Sequence, residues 1–192
     1  MRKMRRSILV LATLAFTLGG VSTGVALVQI YQMNDFQKSI KIENIKLDAA
    51  KSPQSQYAPI KMGEVIGVIS IPKLAETYPI VQGTDDQDLK LGVGHYVDSV
   101  MPGAKDNSVL SGHRDSVFSK LGHLKKGDSV IVRTSSGTFT YRVRRTFIVM
   151  ADDRTVIVPT PTATLTLTTC YPFFFIGSAP KRFIVSADLV QK

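Results

Sequence analysis

Cysteine is nearly absent from this sequence: Cys170 is the only one in 192 residues. A lone thiol excludes an internal disulfide framework and any zinc site built from several cysteines. Whatever it does, it does alone or with other residue types. Histidine is also scarce, with three copies, so an imidazole needed for chemistry has few sources. Charged residues reach only 20% against 44% hydrophobic, which is too apolar for a disordered chain. No internal repeat or low-complexity run is present. At roughly 100–200 residues per domain the length suits one folded unit with accessories, and two full enzymatic domains are not expected. Beyond the Asp85-Asp86-x-Asp88 turn, Asp152-Asp153 is the only adjacent acidic pair, and neither a metal nor another cofactor is expected.

The net charge of +9 first points to nucleic acid or an anionic surface. Its distribution argues otherwise. Residues 1–60 hold 8 basic and 3 acidic side chains, a net +5, which leaves +4 for residues 61–192. No basic helix or aromatic–basic platform appears, so no nucleic-acid partner is expected.

Much of the basic excess, Arg2, Lys3, Arg5 and Arg6, precedes a stretch from Ser7 to Tyr31 that has no ionisable acid or base. As a helix these 25 residues would reach about 37 Å, enough for a hydrocarbon core of about 30 Å. A cleaved signal peptide with Gly24-Val25-Ala26 as its small-x-small site is the alternative; the apolar run through Leu27, Val28, Ile30 and Tyr31 favours an uncleaved anchor. A buried soluble helix is the third reading. Basic residues before the span and none just after it predict a cytoplasmic N-terminus, with the rest of the chain outside the cell. The expected organisation is a basic segment over 1–6, a transmembrane anchor over 7–31, an extracytoplasmic stalk over 32–60 and a folded domain over 61–192.

From Gly63 the pattern changes to short β-branched segments broken by Gly, Pro, Asn and Asp, which predicts an all-β barrel or sandwich. Eight strands are expected, over 65–71, 78–82, 108–112, 129–134, 138–147, 155–158, 164–169 and 183–189. Thr134-Ser135-Ser136-Gly137 reads as a hairpin turn joining two of them, and short helices are expected over 86–91 and 116–124. Eight short strands are better closed into a barrel than left as an open sheet with exposed edges.

In a period-2 strand, Leu165 and Leu167 face one way and Thr164, Thr166 and Thr168 the other. Cys170 falls with the threonines, at a strand end just before Tyr171-Pro172. A free cysteine is often simply a small buried hydrophobe; the phase and the strand-end position argue for a reactive group. A nucleophilic thiol is commonly helped by a histidine. His113 also sits at a strand-to-loop position, before Arg114-Asp115. His123 reads as a solvated surface residue, and His95, in Gly92-Val93-Gly94-His95-Tyr96, as one that bonds backbone. Arg182 opens the last strand and points away from the apolar face of Phe183, Val185 and Ala187. It is either a solvated edge residue or a cation for a developing oxyanion.

Taken together, Thr166-Leu167-Thr168-Thr169-Cys170, Ser111-Gly112-His113-Arg114-Asp115 and Lys181-Arg182-Phe183-Ile184-Val185 resemble the sortase family of membrane-anchored cysteine transpeptidases. The first matches the family's TLxTC, and the order His, Cys, Arg is the family's own. The resemblance spans about 63–189 and is most like class D. The end of the chain at Lys192 and the Tyr171-Pro172-Phe173-Phe174-Phe175-Ile176-Gly177 loop depart from class C. It implies an eight-stranded sortase-type β-barrel with short connecting helices behind an N-terminal transmembrane helix. It also implies Cys170 as nucleophile, His113 as general acid and base, and Arg182 at the oxyanion or the peptide. Thr169, Tyr171 and Phe173 are expected to bind substrate, with the apolar loop either covering the peptide groove or tucked onto the barrel. The implied partners are surface proteins bearing an LPxTG-like sorting signal, an amine of a peptidoglycan precursor and the cell membrane. Two other readings stay open: an anchored cysteine peptidase that only hydrolyses, and a non-catalytic wall-binding module attracted to anionic wall polymers.

Overall fold

In the computed structural model, which describes residues 60–174 and 177–192, eight strands close into a barrel in the order β1-β2-β3-β4-β7-β8-β6-β5. They are β1 (Val65–Ile71), β2 (Glu76–Gln82), β3 (Val93–His95), β4 (Asn107–Ser111), β5 (Ser129–Thr134), β6 (Gly137–Met150), β7 (Thr164–Tyr171) and β8 (Lys181–Gln191). One helix, α1 (Asp86–Leu91), carries the chain from β2 to its parallel neighbour β3. Among the described residues the only other parallel pair is β4 with β7. The expected anchor over 7–31 and nearly all of the stalk lie outside the described residues.

Alternation drives the strands into place. In β5, Val130 and Val132 are buried while Arg133 is exposed; in β6, Phe139, Tyr141 and Val143 are buried while Arg142 and Arg144 are exposed. Thr134 pairs with Gly137, closing the expected hairpin. On β7 and β8 the residues Leu165, Leu167, Phe183, Val185 and Ala187 join the core beside Ile69, Ile80 and Leu110. Each of these Leu, Ile, Val and Phe side chains contributes roughly 1.5–3 kcal/mol by leaving water.

Two expectations over the connections are corrected. Residues 155–158, expected as a strand, form turns and bends; their carbonyls serve a side chain instead, Asn107 Nδ2 donating to Val156 O and Val158 O at 3.1 Å each. The eighth strand is β3, three residues among glycines and too short to show alternation. Residues 116–124, expected as a helix, are turns ending in a single 3-10 turn, Leu121–His123. Its buried residues, Val117, Phe118, Leu121 and Leu124, give the sequence a near-helical period. The backbone, however, closes by i to i+3 bonds such as Leu121 N to Phe118 O and Leu124 N to Leu121 O.

Candidate active site

The central strand of the site is β7, held between β4 and β8. Its phase sends Leu165, Leu167 and Thr169 inward and leaves Thr168 and Cys170 half-buried on the other face. In the antiparallel ladder with β8, Cys170 is the direct Cα partner of Arg182. Directly paired residues leave a sheet on the same face, so the thiol and the guanidinium share a side.

The parallel ladder with β4 supplies the imidazole. Ser111 is the partner of Thr168, and the pairing runs on past the strand end through Gly112 N donating to Thr168 O at 3.1 Å. His113 is the next residue, at the same end of the barrel as Cys170 because β4 and β7 run parallel. His113, Cys170 and Arg182 therefore form a row across the ends of β4 and β7 and the start of β8, and all three are half-buried. A half-exposed strand end suits a reacting group, which must meet both its helper and an incoming ligand.

Local sequence explains why the β4 exit is so tight. A Cβ added at Gly112 would lie 2.6 Å from the Phe118 ring and 2.7 Å from Val117, so only glycine lets the turn after β4 fold back on itself. Thr169 fixes this turn from the other side. Its hydroxyl donates to Gly112 O at 2.7 Å, and the residue is only 3% exposed. Thr169 thus lies on the face opposite Cys170, where it holds the backbone ahead of His113.

The expected peptide-loop residues also have definite places. Tyr171 stacks on Phe183 at 6.4 Å and meets Phe173 edge-on at 5.8 Å, and Phe173 lies 5.4 Å from Phe183. Both pack against the core. Phe173 further abuts Gly122, where an added Cβ would lie 2.7 Å from its ring. Tyr171 and Phe173 are thus tucked onto the barrel, while Phe174 is 100% exposed; residues 175–176 lie outside the described residues. Arg182 directs Nη1 to Ala179 O at 3.1 Å and to Lys181 O at 3.0 Å, so the start of β8 orients its guanidinium. Arg114, given no role from sequence, reaches across to the chain leaving β7; adjacency to a candidate histidine was its only signal.

The other histidines stand apart from this row. His95 is 1% exposed, with Nδ1 2.9 Å from Gln82 Oε1 and Nε2 3.1 Å from Val100 O. Burial pushes its pKa down, against the opposing effect of the Val100 carbonyl. His123 is exposed on the 3-10 turn. Among the described residues no three His, Cys, Asp or Glu side chains converge to hold a metal ion.

Known proteins resemble this chain in both sequence and fold. The sortase domain family matches residues 69–190. Sortase D of Bacillus subtilis is 47% identical over 139 residues, covering 72% of this chain and 69% of that protein. The catalytic domain of sortase D from B. anthracis superposes with a TM-score of 0.61 at 43% identity, over 73% of this chain and 97% of the other. A sortase D transpeptidase of Clostridium perfringens superposes with a TM-score of 0.69 at 27% identity, over 78% and 95%. A lone thiol near the end of a barrel strand, opposite an arginine and beside a strand whose exit carries a histidine, is thus set in a chain that belongs to the sortase family of cysteine transpeptidases.

Proposed function

We propose that this sortase cleaves an LPxTG-like sorting signal after its threonine and joins the released protein to an amine of a peptidoglycan precursor. The Cys170 thiolate attacks the threonine carbonyl, and the C–S bond forms as the carbonyl electrons move to oxygen. Collapse of that intermediate expels the amine, which takes its proton from His113, and leaves a thioacyl enzyme. His113 then accepts a proton from the incoming amine as the amine displaces sulfur. Arg182 offers fixed donors to the transient oxyanion or to a peptide carbonyl, charged at any working pH.

The site of action in this proposal is the outer face of the cell membrane, with the N-terminus cytoplasmic and residues 7–31 as a single span. Both substrates would arrive there tethered to lipid, and a short stalk would keep the barrel within reach of them.

The observation that supports this reading is the row of Cys170, Arg182 and His113 at one end of the barrel. Its test is to incubate the full chain in detergent with a panel of sorting-signal peptides, weighing the protein for an adduct and the products with and without an added amine. The expected result is an acyl adduct that Cys170→Ala abolishes, and an amine-linked peptide. Adduct formation followed only by hydrolysis, whatever the amine, would make the protein a peptidase; adduct formation by the Cys170→Ala protein would remove the nucleophile assignment.

A further inference from the structure

We propose that Arg114 is a positioning residue that sets the separation of His113 and Cys170 by bridging two backbone carbonyls. Arg114 directly follows His113. Its Nη1 donates to Pro172 O at 3.3 Å and its Nη2 to Gly177 O at 2.9 Å. Pro172 is two residues past Cys170. One guanidinium therefore ties the residue after the imidazole to the chain just after the thiol.

The need for such a tie follows from the topology. Up to Gly112 and Thr169 the two chains are held by the β4–β7 ladder and by the Thr169 hydroxyl on Gly112 O. Beyond that point they part, one into the turn after β4 and the other toward β8, and the ladder no longer sets their spacing. His113 and Cys170 lie at the point of parting. Arg114 supplies a cross-link on the far side of the pair, so the pair is bracketed by hydrogen bonds before and after it. A planar fork can serve two carbonyls from one fixed head, whereas a lysine ammonium is a point charge on a flexible stem and cannot reproduce that geometry.

This inference rests on the reading of Cys170 and His113 as the reacting pair, and its test keeps the two apart. Because Cys170 is the chain's sole cysteine, the alkylation rate of the full chain by iodoacetamide reports its thiolate alone. The rate is followed against pH for the unaltered protein, His113→Ala, Arg114→Met and Arg114→Lys, with circular dichroism to confirm folding. His113→Ala should change the profile. Arg114→Met should move it toward that of His113→Ala by about one pH unit, roughly a tenfold change in rate at neutral pH. Arg114→Lys should move it in the same direction although the charge is kept.

A profile for Arg114→Met that overlays the unaltered protein, while that of His113→Ala moves, overturns the positioning role and leaves the pair standing. A lysine variant that overlays the unaltered protein while the methionine variant does not assigns the effect to charge, and also overturns it. No response to His113→Ala removes the pair and the inference with it. Should Arg114→Met fail to fold, the lysine variant decides.

Discussion

His95 and His113 are the same side chain in two regions of one barrel, and the difference lies in where the ladder stops. His95 is the last residue of β3 but still within its ladder, paired with Leu110 of β4 and sealed from water, with both ring nitrogens in contact with polar neighbours. Its burial favours the neutral form, and its ring helps hold the β2–β3–β4 region together. His113 lies two residues beyond the end of β4, half-buried, at the same end of the barrel as the thiol on the neighbouring strand. A buried place within the ladder uses up a histidine's hydrogen bonds; a half-buried place beyond the ladder leaves the imidazole within reach of a ligand.

The sharpest way to break this comparison is to remove the exposed member. His113→Ala should lower the rate of peptide cleavage by about 10²–10⁴-fold with the thermal midpoint little changed, measured as product formed per minute at saturating peptide. Loss of activity in step with loss of folded protein would make His113 structural, like His95. Thr169→Val comes next, because it leaves the buried Gly112 carbonyl without its hydroxyl partner. Urea unfolding should show a loss of about 1–3 kcal/mol, with cleavage reduced less than by His113→Ala; unchanged stability would show that the turn before His113 is held by something else.

His95 gives a smaller effect with a definite sign. Its folded pKa lies below the ordinary 6.5 because of burial. Between those two values the unfolded chain binds a proton that the folded chain does not, so this contribution is complete above about pH 6.5 and declines as pH falls toward the folded pKa. The thermal midpoint should drop between pH 7 and pH 5.5, and drop less in His95→Gln. Equal drops in the two proteins would show that His95 does not carry the dependence. Smallest of all is His123→Ala, exposed and away from the row, which should keep cleavage within about twofold of the unaltered protein. A loss rivalling that of His113→Ala would mean the wrong histidine carries the chemistry.

Legibility in the sequence followed local pattern strength. β1, β5 and α1 appear over the residues expected, β5 because it alternates and β1 because it is a short apolar, β-branched run between turn residues. β3 was illegible because three residues, preceded by Gly92 and interrupted by Gly94, carry no period, and it is a strand only because β2 and β4 present edges to it. Residues 155–158 have β-branched side chains, yet their carbonyls are taken by Asn107 rather than by a neighbouring strand. Within the site, Cys170, His113 and Arg182 were readable from strand phase and family resemblance. The inward turn of Thr169 was not used, although it shares the phase of Leu165 and Leu167. The reach of Arg114 to Pro172 and Gly177 could not be read at all.

Taken alone, the order of residues determined which side chains could react and which strand ends would carry them, because a period of two and a scarcity of thiols and imidazoles are local properties. Closure of the barrel decided the rest. Residues separated by more than fifty positions become neighbours only when strands pair, and the register of that pairing, set by which faces must be buried, put sulfur, imidazole and guanidinium in one row.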